Sequence, residues 1–242
     1  MTGSAPPRKA PVLPSASATV VLAAHNEAGA VGAVLRQVRS VLGDVEIIVV
    51  DDGSTDGTAD EAEAEGALVI RCWPNQGKGV AMRKGIAAAT SDWLIFLDAD
   101  GQDDPAEIPR LLDAIEDDVA LINGSRFLGV LEPGAIHPVN KVANVSLTRL
   151  LSLLYGQRIT DSQAGFRVLR ADLARALALQ SREYEFETEV LAKILRRGLR
   201  VVEVPVTRYP RAAGRTDFRR VHNGLRILKM ILKERVRPVP TV

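Results

Sequence analysis

The 242-residue chain has one cysteine, few aromatic residues and almost no net charge. The single cysteine, Cys72, excludes a disulfide within the chain and a thiolate metal site, and it indicates a reducing compartment such as the cytoplasm. Aromatic residues make up only 4% of the chain, which argues against a platform for stacking nucleobases. The net charge of +1 supplies no general attraction for nucleic acid, so we expect no nucleic-acid partner.

Long apolar runs are also missing from the chain. No run approaches the roughly 18 to 20 residues that a membrane-spanning helix needs. Residues 1–17 are rich in Pro, Ala and Ser and lack a continuous apolar stretch, so we expect a disordered leader and no secretory signal. Hydrophobic residues still make up 46% of the chain, which is enough for one sizeable core.

The most informative stretch is Trp93-Leu94-Ile95-Phe96-Leu97-Asp98-Ala99-Asp100-Gly101-Gln102. The apolar run predicts a buried strand, and Asp98, Asp100 and Gln102 then fall in phase at its carboxyl end. Two neighbouring carboxylates repel unless a cation neutralises them, and oxygen ligands of this kind suit Mg²⁺ or Mn²⁺. The alternative for an isolated Asp-x-Asp is an ordinary acidic turn.

The rest of the chain alternates between strand and helix patterns. Strands are predicted at 19–24, 46–50, 67–72, 93–97 and 119–123, with helices at 30–42, 58–65, a segment ending at 89, and 105–116. A helix at 139–155, a turn and strand at 161–169, helices at 171–177 and 186–197, a strand at 200–207 and a helix at 221–236 follow. This order predicts an α/β fold with a mostly parallel central sheet and helices on both faces.

Seven motifs in this order resemble the family 2 glycosyltransferases with the GT-A (Rossmann-like) fold. They are similar above all to the branch that transfers sugars to polyprenyl phosphates, the dolichyl-phosphate mannose synthase type. The motifs lie at residues 24–27, 51–54, 75–79, 98–102, 124–126, 161–166 and 211–216. The last motif departs from the branch because Asp217 stands where Lys is common, which removes a positive charge.

The resemblance implies a site for a nucleotide-sugar donor. Its residues would be Ala24, Asn26, Glu27, Asp52, Lys78, Asp98, Ala99, Asp100 and Gln102. Asp52 has a structural alternative, in which Asp51 or Asp52 caps the helix that begins near Thr58. Lys78 lies in a Gly-rich loop that could cradle phosphate through backbone N–H groups, but a solvated lysine fits the sequence equally well.

The resemblance also implies roles in metal binding and catalysis. Asp98, Asp100 and Gln102 would bind the Mg²⁺ or Mn²⁺ that holds the donor diphosphate. The catalytic residues would be Asp100, Arg126, Arg211 and Asp161, and the acceptor phosphate would be bound by Arg126, Lys141 and Arg211. Forked guanidinium groups match phosphate oxygens, although each of these basic residues could instead be a surface cation.

Asp161 is expected to position other groups and not to act as a base. A phosphate acceptor is already anionic near pH 7 and needs no base. If the acceptor were a hydroxyl group, Asp161 would be the first candidate for that base. Glu187 and Glu189 are interpreted as solvated or structural residues of a helix.

The final helix is amphipathic and strongly basic. Val221, Leu225, Leu228 and Leu232 share one side, while arginines and lysines supply the other. Such a helix could lie on an anionic membrane surface, or its apolar side could pack on the domain. We therefore divide the chain into the leader at 1–17, a catalytic domain at 18–216, and the amphipathic helix with its tail at 217–242.

The sequence thus predicts a cytoplasmic, inverting, metal-dependent glycosyltransferase, peripheral on the inner face of the membrane. It would move a hexose from a donor of the GDP-mannose or UDP-glucose type to a polyprenyl phosphate. Two alternatives remain at this stage: the same fold acting on a hydroxyl acceptor such as a glycan or small lipid, and a non-catalytic domain that binds nucleotide-sugars.

Overall fold

The computed structural model describes residues 17–211 and 220–237. The leader predicted at 1–17 lies outside this range except for Ser17, as do the departure at Asp217 and the domain boundary between 216 and 217. The strands are β1 (Ala18–Ala24), β2 (Glu46–Asp52), β3 (Leu68–Cys72), β4 (Trp93–Asp98), β5 (Val119–Ser125), β6 (Arg167–Arg170) and β7 (Arg200–Pro205). The helices are α1 (Val31–Leu42), α2 (Thr58–Ala64), α3 (Lys78–Ala88), α4 (Ile108–Leu112), α5 (Pro138–Tyr155), α6 (Ala171–Ala176), α7 (Phe186–Arg196) and α8 (Arg220–Val236).

The order of the strands creates a crevice at one edge of the sheet. The seven strands follow the order β3-β2-β1-β4-β6-β5-β7. β1 pairs in parallel with β2 on one side and with β4 on the other, so the chain changes direction at β1. Open α/β sheets bind ligands outside the carboxyl ends of strands at such a switch point. Ala23 is in register with Asp98, which places the acidic tip of β4 beside the end of β1.

The predicted sheet is confirmed as mostly parallel, with one antiparallel strand. β6 runs against both β4 and β5, and Arg167 at its start pairs with Phe96 and Asn123. The turn at 161–166, which leads into β6, therefore lies at the same edge as the tip of β4. This insertion brings a distant segment of the chain to the crevice.

Alternate strand residues form a core on each face of the sheet. Val21 and Ile48 pack on one face with residues of α3, α5, α7 and α8. Val20 and Ile47 pack on the other face with residues of α1, α2 and α4. Burial of one such side chain contributes roughly 1.5–3 kcal/mol, so two covered faces hold the strand ends firmly in place.

The helix predicted at 105–116 is wrong in its extent. A 3₁₀ turn at Pro105–Glu107 precedes the five-residue α4, which ends at Leu112. Pro109 has no N–H to donate to the carbonyl of residue 105, so a continuous α-helix cannot form from the first proline. Asp104 caps the turn by accepting a hydrogen bond from Ala106 N at 2.9 Å.

The amphipathic character of α8 is confirmed, and its two sides have different surroundings. Ile227 and Ile231 are buried in the core, whereas Leu225 and Leu232 are exposed. Tyr155 of α5 donates its hydroxyl to the carbonyl of Ile231 at 2.9 Å and so ties α8 to α5. Within residues 17–211 and 220–237, no helix is both long enough and apolar enough to cross a membrane.

A buried ion pair holds the segment 177–182 in place. Glu189 and Lys193 of α7 are 0% and 4% exposed, and their charged groups lie 2.7 Å apart. Glu189 accepts hydrogen bonds from the backbone N–H groups of residues 180 and 181, and Lys193 donates to the carbonyls of residues 177 and 178. Glu189 is therefore structural and not solvated. The Arg182 carbonyl in turn accepts from Gly79 N, which fixes the start of α3.

Replacement of Glu189 by Gln should destabilise the protein in a pH-dependent way. Burial alone would raise the pKa of Glu189, but the hydrogen bonds from Lys193 and Ser181 outweigh burial and hold it below its ordinary value. The carboxylate therefore stabilises the fold above about pH 4.3, and this contribution is lost as the pH falls through the lowered pKa. Urea denaturation should show a loss of about 3 kcal/mol at pH 7, because Lys193 is left buried and unpaired.

The difference between the two proteins should shrink as the pH falls from about 4.3, the value at which the unfolded chain is protonated, through the lowered pKa of folded Glu189. The exposed Asp117 offers a matched control, since Asp117→Asn should change the free energy of unfolding by less than about 0.5 kcal/mol. A loss that stayed constant from pH 3 to 7 would contradict the assignment.

Candidate active site

One cavity of about 700 Å³ opens at the switch point of the sheet. Residues from the ends of β1, β2, β4 and β5, the starts of α3, α5 and α8, and the late loop line it. Of the residues expected to bind a nucleotide-sugar, eight line this cavity: Ala24, Glu27, Asp52, Lys78, Asp98, Ala99, Asp100 and Gln102. Arg126 and Arg211 line it as well, whereas Asn26, Lys141 and Asp161 do not.

The tip of β4 brings Asp98 and Asp100 together at the cavity wall. Gly101 follows with a φ of +71°, which lets the chain turn sharply so that Gln102 N donates to Asp100 Oδ1 at 3.0 Å. Lys78 Nζ lies 2.7 Å from Asp98 Oδ1. Burial alone would raise the pKa of Asp98, but Lys78 and Arg208 hold it below its usual value. Burial and the charge of Asp98 raise the pKa of Asp100.

Arg208 lies at the centre of this cluster, although sequence reasoning gave it no role. Its guanidinium Nη1 lies 2.6 Å from Asp103, and its Nη2 lies 3.1 Å from Asp98 Oδ2 and 3.0 Å from Gln102 Oε1. Arg208 is 8% exposed. Burial disfavours its charge, yet the three neighbouring aspartates raise its pKa above the ordinary value. It therefore acts as a permanent internal cation between the acidic side chains.

Arg211 adds a second guanidinium at the same place. Its Nη1 lies 2.6 Å from Glu27 Oε1, and its Nη2 lies 2.8 Å from Asp100 Oδ2. Burial raises the pKa of Glu27 despite this pairing, and Glu27 Oε2 is buried with no hydrogen-bond partner among the described residues. Arg211 thus connects the end of β1 to the tip of β4.

Lys78 is not the solvated lysine that the sequence also allowed. Its ammonium bridges Asp98 and Glu187, at 2.7 Å from each carboxylate. Burial alone would lower the pKa of Lys78, but these two carboxylates raise it above the usual value. Glu187, interpreted from sequence as solvated or structural, is 6% exposed and lines the cavity. The place of Glu187 in the cavity was not predicted, because charged residues on a helix normally face solvent.

Arg126 lines the cavity and is paired with Asp161, which lies behind it. Asp161 is fully buried, and it accepts from Arg126 Nε at 2.6 Å and from Arg126 Nη2 at 2.8 Å. Its two oxygens also accept from the backbone N–H groups of Arg126 and Gln163. Glu203 of β7 holds the turn by accepting from Thr160 N and Asp161 N. Asp161 therefore has the geometry of a positioning residue and has no vacant oxygen.

Several other expected site residues have structural partners. Asp52 accepts hydrogen bonds from Gln76 N at 2.9 Å and Gly77 N at 2.7 Å, so it shapes the loop before α3. Neither Asp51 nor Asp52 caps α2, because Asp56 bonds Thr58 instead. Asn26 lies outside the cavity and accepts from Thr55 N.

Lys141 is exposed on α5 and does not line the cavity. Asn140 and Asn144, on either side of it in the sequence, do line the cavity, so Lys141 lies on a different side of α5.

The cavity carries nearly balanced charge. Six carboxylates line it, namely Glu27, Asp52, Asp98, Asp100, Glu183 and Glu187, against the five cations Lys78, Arg126, Arg208, Arg211 and Arg226. Among the described residues, no group of three or more His, Cys, Asp or Glu side chains is arranged to hold a metal ion. The oxygens of Asp98, Asp100 and Gln102 are nevertheless hard ligands that suit Mg²⁺ or Mn²⁺, and Glu27 Oε2 lacks a partner.

Arg208 should contribute far more to stability than an exposed arginine that also bridges carboxylates. Replacement of Arg208 by Ala leaves buried carboxylates without their cation, and we expect a loss of about 3–5 kcal/mol in the free energy of unfolding. Arg200 bridges two carboxylates, Glu116 and Asp118, on the surface, so Arg200→Ala should leave the free energy of unfolding close to that of the wild type. Denaturation at pH 7 measures both variants, and equal losses would refute the central role of Arg208.

Comparisons with known proteins agree with this geometry. The chain is 30% identical to a glycosyltransferase of Haloferax volcanii over 204 residues, which is 84% of this chain and 66% of the relative. It is 30% identical to the undecaprenyl-phosphate mannosyltransferase of Micrococcus luteus over 218 residues, covering 82% and 86% of the two chains. The chain thus spans just under two thirds of the length of the first of these relatives.

Solved structures share the fold. The crystal structure of glucosyl-3-phosphoglycerate synthase from Mycobacterium tuberculosis with uridine diphosphate superposes with a TM-score of 0.75 and 23% identity, over 98% of this chain and 88% of that one. The sheet and its helices therefore form a GT-A-like fold. The family model for glycosyl transferase family 2 matches residues 19–177, which is more than half of the chain. This match, together with the fold and the cavity, shows that the chain belongs to glycosyl transferase family 2.

Proposed function

We propose that this glycosyltransferase moves a hexose from a nucleoside-diphosphate sugar, of the GDP-mannose or UDP-glucose type, to a polyprenyl phosphate. An oxygen of the acceptor phosphate would attack the anomeric carbon from the side opposite the donor diphosphate. The bond from that carbon to the diphosphate oxygen breaks, the nucleoside diphosphate leaves with the electron pair, and the configuration inverts. Relatives at about 30% identity that carry names of this class support the proposal.

The burial and hydrogen bonds of Asp161 are the observations that support a phosphate acceptor. A hydroxyl acceptor needs a base, and Asp161 was the first candidate for it. This carboxylate is fully buried, and both of its oxygens accept hydrogen bonds from Arg126. A phosphate monoester is already anionic near neutral pH and needs no base. The geometry therefore favours a phosphate acceptor over a hydroxyl acceptor.

The cationic residues of the cavity have distinct proposed roles. Lys78 and Arg211 lie on either side of the Asp98–Asp100 tip and would bind donor phosphate oxygens. Arg126 lies at the end of β5 and would face the acceptor phosphate, with its fork oriented by Asp161. Asp52 and Glu27 would contact the nucleoside through the ends of β2 and β1.

We also propose a requirement for Mg²⁺ or Mn²⁺ bound by Asp98, Asp100 and Gln102. Both substrates bear phosphate, and a cavity with nearly balanced charge has no surplus of cations to match them. A divalent cation at the tip would stabilise the negative charge that develops on the leaving diphosphate. The structural neighbour has been crystallised with Mn²⁺ and UDP-glucose, so Mn²⁺ and Mg²⁺ are the ions to test first.

Transfer to lipid should depend on the tip of β4. Purified protein with Mn²⁺ or Mg²⁺, undecaprenyl phosphate and radiolabelled GDP-mannose or UDP-glucose should place label in an acid-labile lipid phosphate. Asp100→Ala should reduce turnover by at least about 10²-fold, because a group that stabilises developing charge is lost. Treatment of the wild-type protein with EDTA should reduce turnover to a similar extent. Added Mn²⁺ should then restore the activity of the wild type but should not raise that of Asp100→Ala.

The exposed Asp44 provides a control, because Asp44→Ala should retain full activity. Near-normal turnover by Asp100→Ala would overturn the metal assignment. Label found only in acid-stable glycan would show a hydroxyl acceptor, and donor binding without turnover would show a non-catalytic domain.

We further propose that the protein is cytoplasmic and lies on the inner face of the membrane through α5 and α8. Both helices begin at the cavity and expose apolar side chains: Val139, Val142 and Leu153 on α5, and Leu225, Leu232 and Val236 on α8. The exposed charges between them are basic, and Glu234, the acidic residue of α8, is fully buried. An apolar and basic face of this kind matches an anionic lipid surface and would direct the cavity toward lipid phosphates.

Charge reversal on α8 should weaken binding to anionic vesicles. Lys229→Glu with Lys233→Glu should reduce co-sedimentation with phosphatidylserine-containing vesicles by at least about tenfold, since each basic residue contributes about 1 kcal/mol. Arg36→Glu with Arg71→Glu makes the same change of charge on exposed residues elsewhere and should leave binding close to wild type. Equal effects of the two pairs would show that net charge, and not this face, controls the association.

A further inference from the structure

Three residues that line the cavity have a side-chain amide group with no hydrogen-bond partner in the described part of the chain. Asn144 of α5 and Asn223 of α8 are 7% and 6% exposed, and Gln163 lies in the turn before β6. The amide nitrogen of Gln163 is buried without a hydrogen-bond partner in the described part of the chain. No side-chain hydrogen bond joins Asn144 or Asn223 to any described residue.

Buried amides without partners cost free energy, so native structures normally satisfy them with protein, ordered water or ligand. Two other amides of this protein are bonded to protein groups. Asn123 donates to the Asp161 carbonyl and to Glu203, and Gln102 donates to the Tyr209 carbonyl at 2.9 Å. The side-chain oxygen of Asn123 has no partner among the described residues, but Asn123 does not line the cavity, whereas Asn144, Gln163 and Asn223 do. A ligand in the cavity can therefore reach these three amides.

The elements that carry these amides are rigidly joined. Thr148, one helical turn beyond Asn144, accepts from Ser162 N at 3.1 Å and also contacts the Ser162 hydroxyl at 2.8 Å. The buried Arg167 donates to the carbonyls of Ser162 and Glu187, so the turn that carries Gln163 is fixed to α7 as well. Their positions are thus set in advance of any ligand.

On the α8 side, Arg226 pairs with Glu185 at 3.0 Å, just before α7, and α8 packs against α5. Asn223 is held by the same framework as the other two amides. All three groups therefore line the cavity from elements that are bonded to one another.

Their chemistry selects a neutral, hydroxyl-bearing ligand. An amide offers both donors and acceptors, which suits hydroxyl groups, whereas phosphate is matched better by the guanidinium groups beside Asp98 and Asp100. We propose that Asn144, Gln163 and Asn223 form a subsite that binds the hydroxyl groups of a sugar ring. This inference rests on the proposed function, and the ring is that of the hexose carried by the donor.

The test compares binding of a nucleoside diphosphate with binding of its sugar conjugate. Asn144→Leu, Gln163→Leu and Asn223→Leu, singly and together, are titrated with GDP, GDP-mannose, UDP and UDP-glucose by calorimetry. Each substitution should weaken binding of the nucleotide-sugar by about three- to tenfold, the equivalent of one hydrogen bond. Binding of the free nucleoside diphosphate should not change.

Thermal unfolding separates this role from a structural one. Because these amide groups have no hydrogen-bond partner among residues 17–211 and 220–237, the leucine variants should be as stable as wild type or more stable, whereas a structural amide would show a loss. Gln37→Leu, an exposed position on α1, is the matched control and should change neither sugar binding nor stability by much. Reduced stability with unchanged sugar binding would overturn the inference.

The remaining outcomes also decide the matter. If all four variants bind the nucleotide-sugar as tightly as the wild type does, the subsite assignment is overturned. If wild-type protein binds no nucleotide-sugar, the proposed function fails, and the subsite is then tested with methyl mannoside and methyl glucoside by saturation-transfer NMR. A wild-type signal that the triple variant lacks would support the subsite, and absence of any wild-type signal would overturn it.

Discussion

Two aspartates that end a buried strand cannot remain charged side by side without compensating positive charge. In this protein Arg208, Lys78 and Arg211 supply that charge, with Lys78 at the start of α3 and both arginines in the loop after β7. The late loop, the start of α3 and the end of β1 are consequently tied to one point. Because each cation also bonds a second carboxylate (Asp103, Glu187 or Glu27), the electrostatics of the tip determine the shape of the whole cavity. The charged residues of the site therefore form a single network, and the two packed faces of the sheet support it.

Hydrophobic packing positions that network but does not specify it. The sheet is covered on both sides, so its strand ends are fixed to within the tolerance of a packed core. Finer adjustment comes from polar contacts at a distance from the cavity. The Glu189–Lys193 pair holds the segment 177–182, whose Arg182 carbonyl holds Gly79 and therefore Lys78. Glu203 similarly holds the turn that carries Asp161, and Asp161 holds Arg126. Both chains of contact pass through buried carboxylates that lie outside the motifs.

Most of the fold and part of the site could be predicted from the sequence. Period-two and helical patterns are local, so β1 to β4 and their polar ends could be predicted, and eight of the nine nucleotide-sugar residues do line the cavity. Contacts between distant residues could not be predicted in the same way. Arg208 looked like one arginine in a basic loop, and Glu187 like a solvated helix residue, because nothing local shows that each faces a buried opposite charge. Lys141 was assigned by resemblance to the family, yet it lies on a side of α5 that does not line the cavity. The roles of all these residues in transfer remain proposals.

The balance of charges in the cavity also affects how substrates arrive. A pocket lined by six carboxylates and five cations has a weak far field, so it cannot draw anionic nucleotides in from bulk solution as an unbalanced basic cleft would. Encounter with the donor should accordingly proceed at an ordinary diffusive rate and vary little with ionic strength. The protein then selects its donor among phosphorylated ligands only inside the cavity, where short-range contacts are stronger because the dielectric constant is low. The donor is therefore captured more slowly than by an unbalanced basic cleft, but other phosphorylated metabolites are not concentrated at the entrance of the cavity.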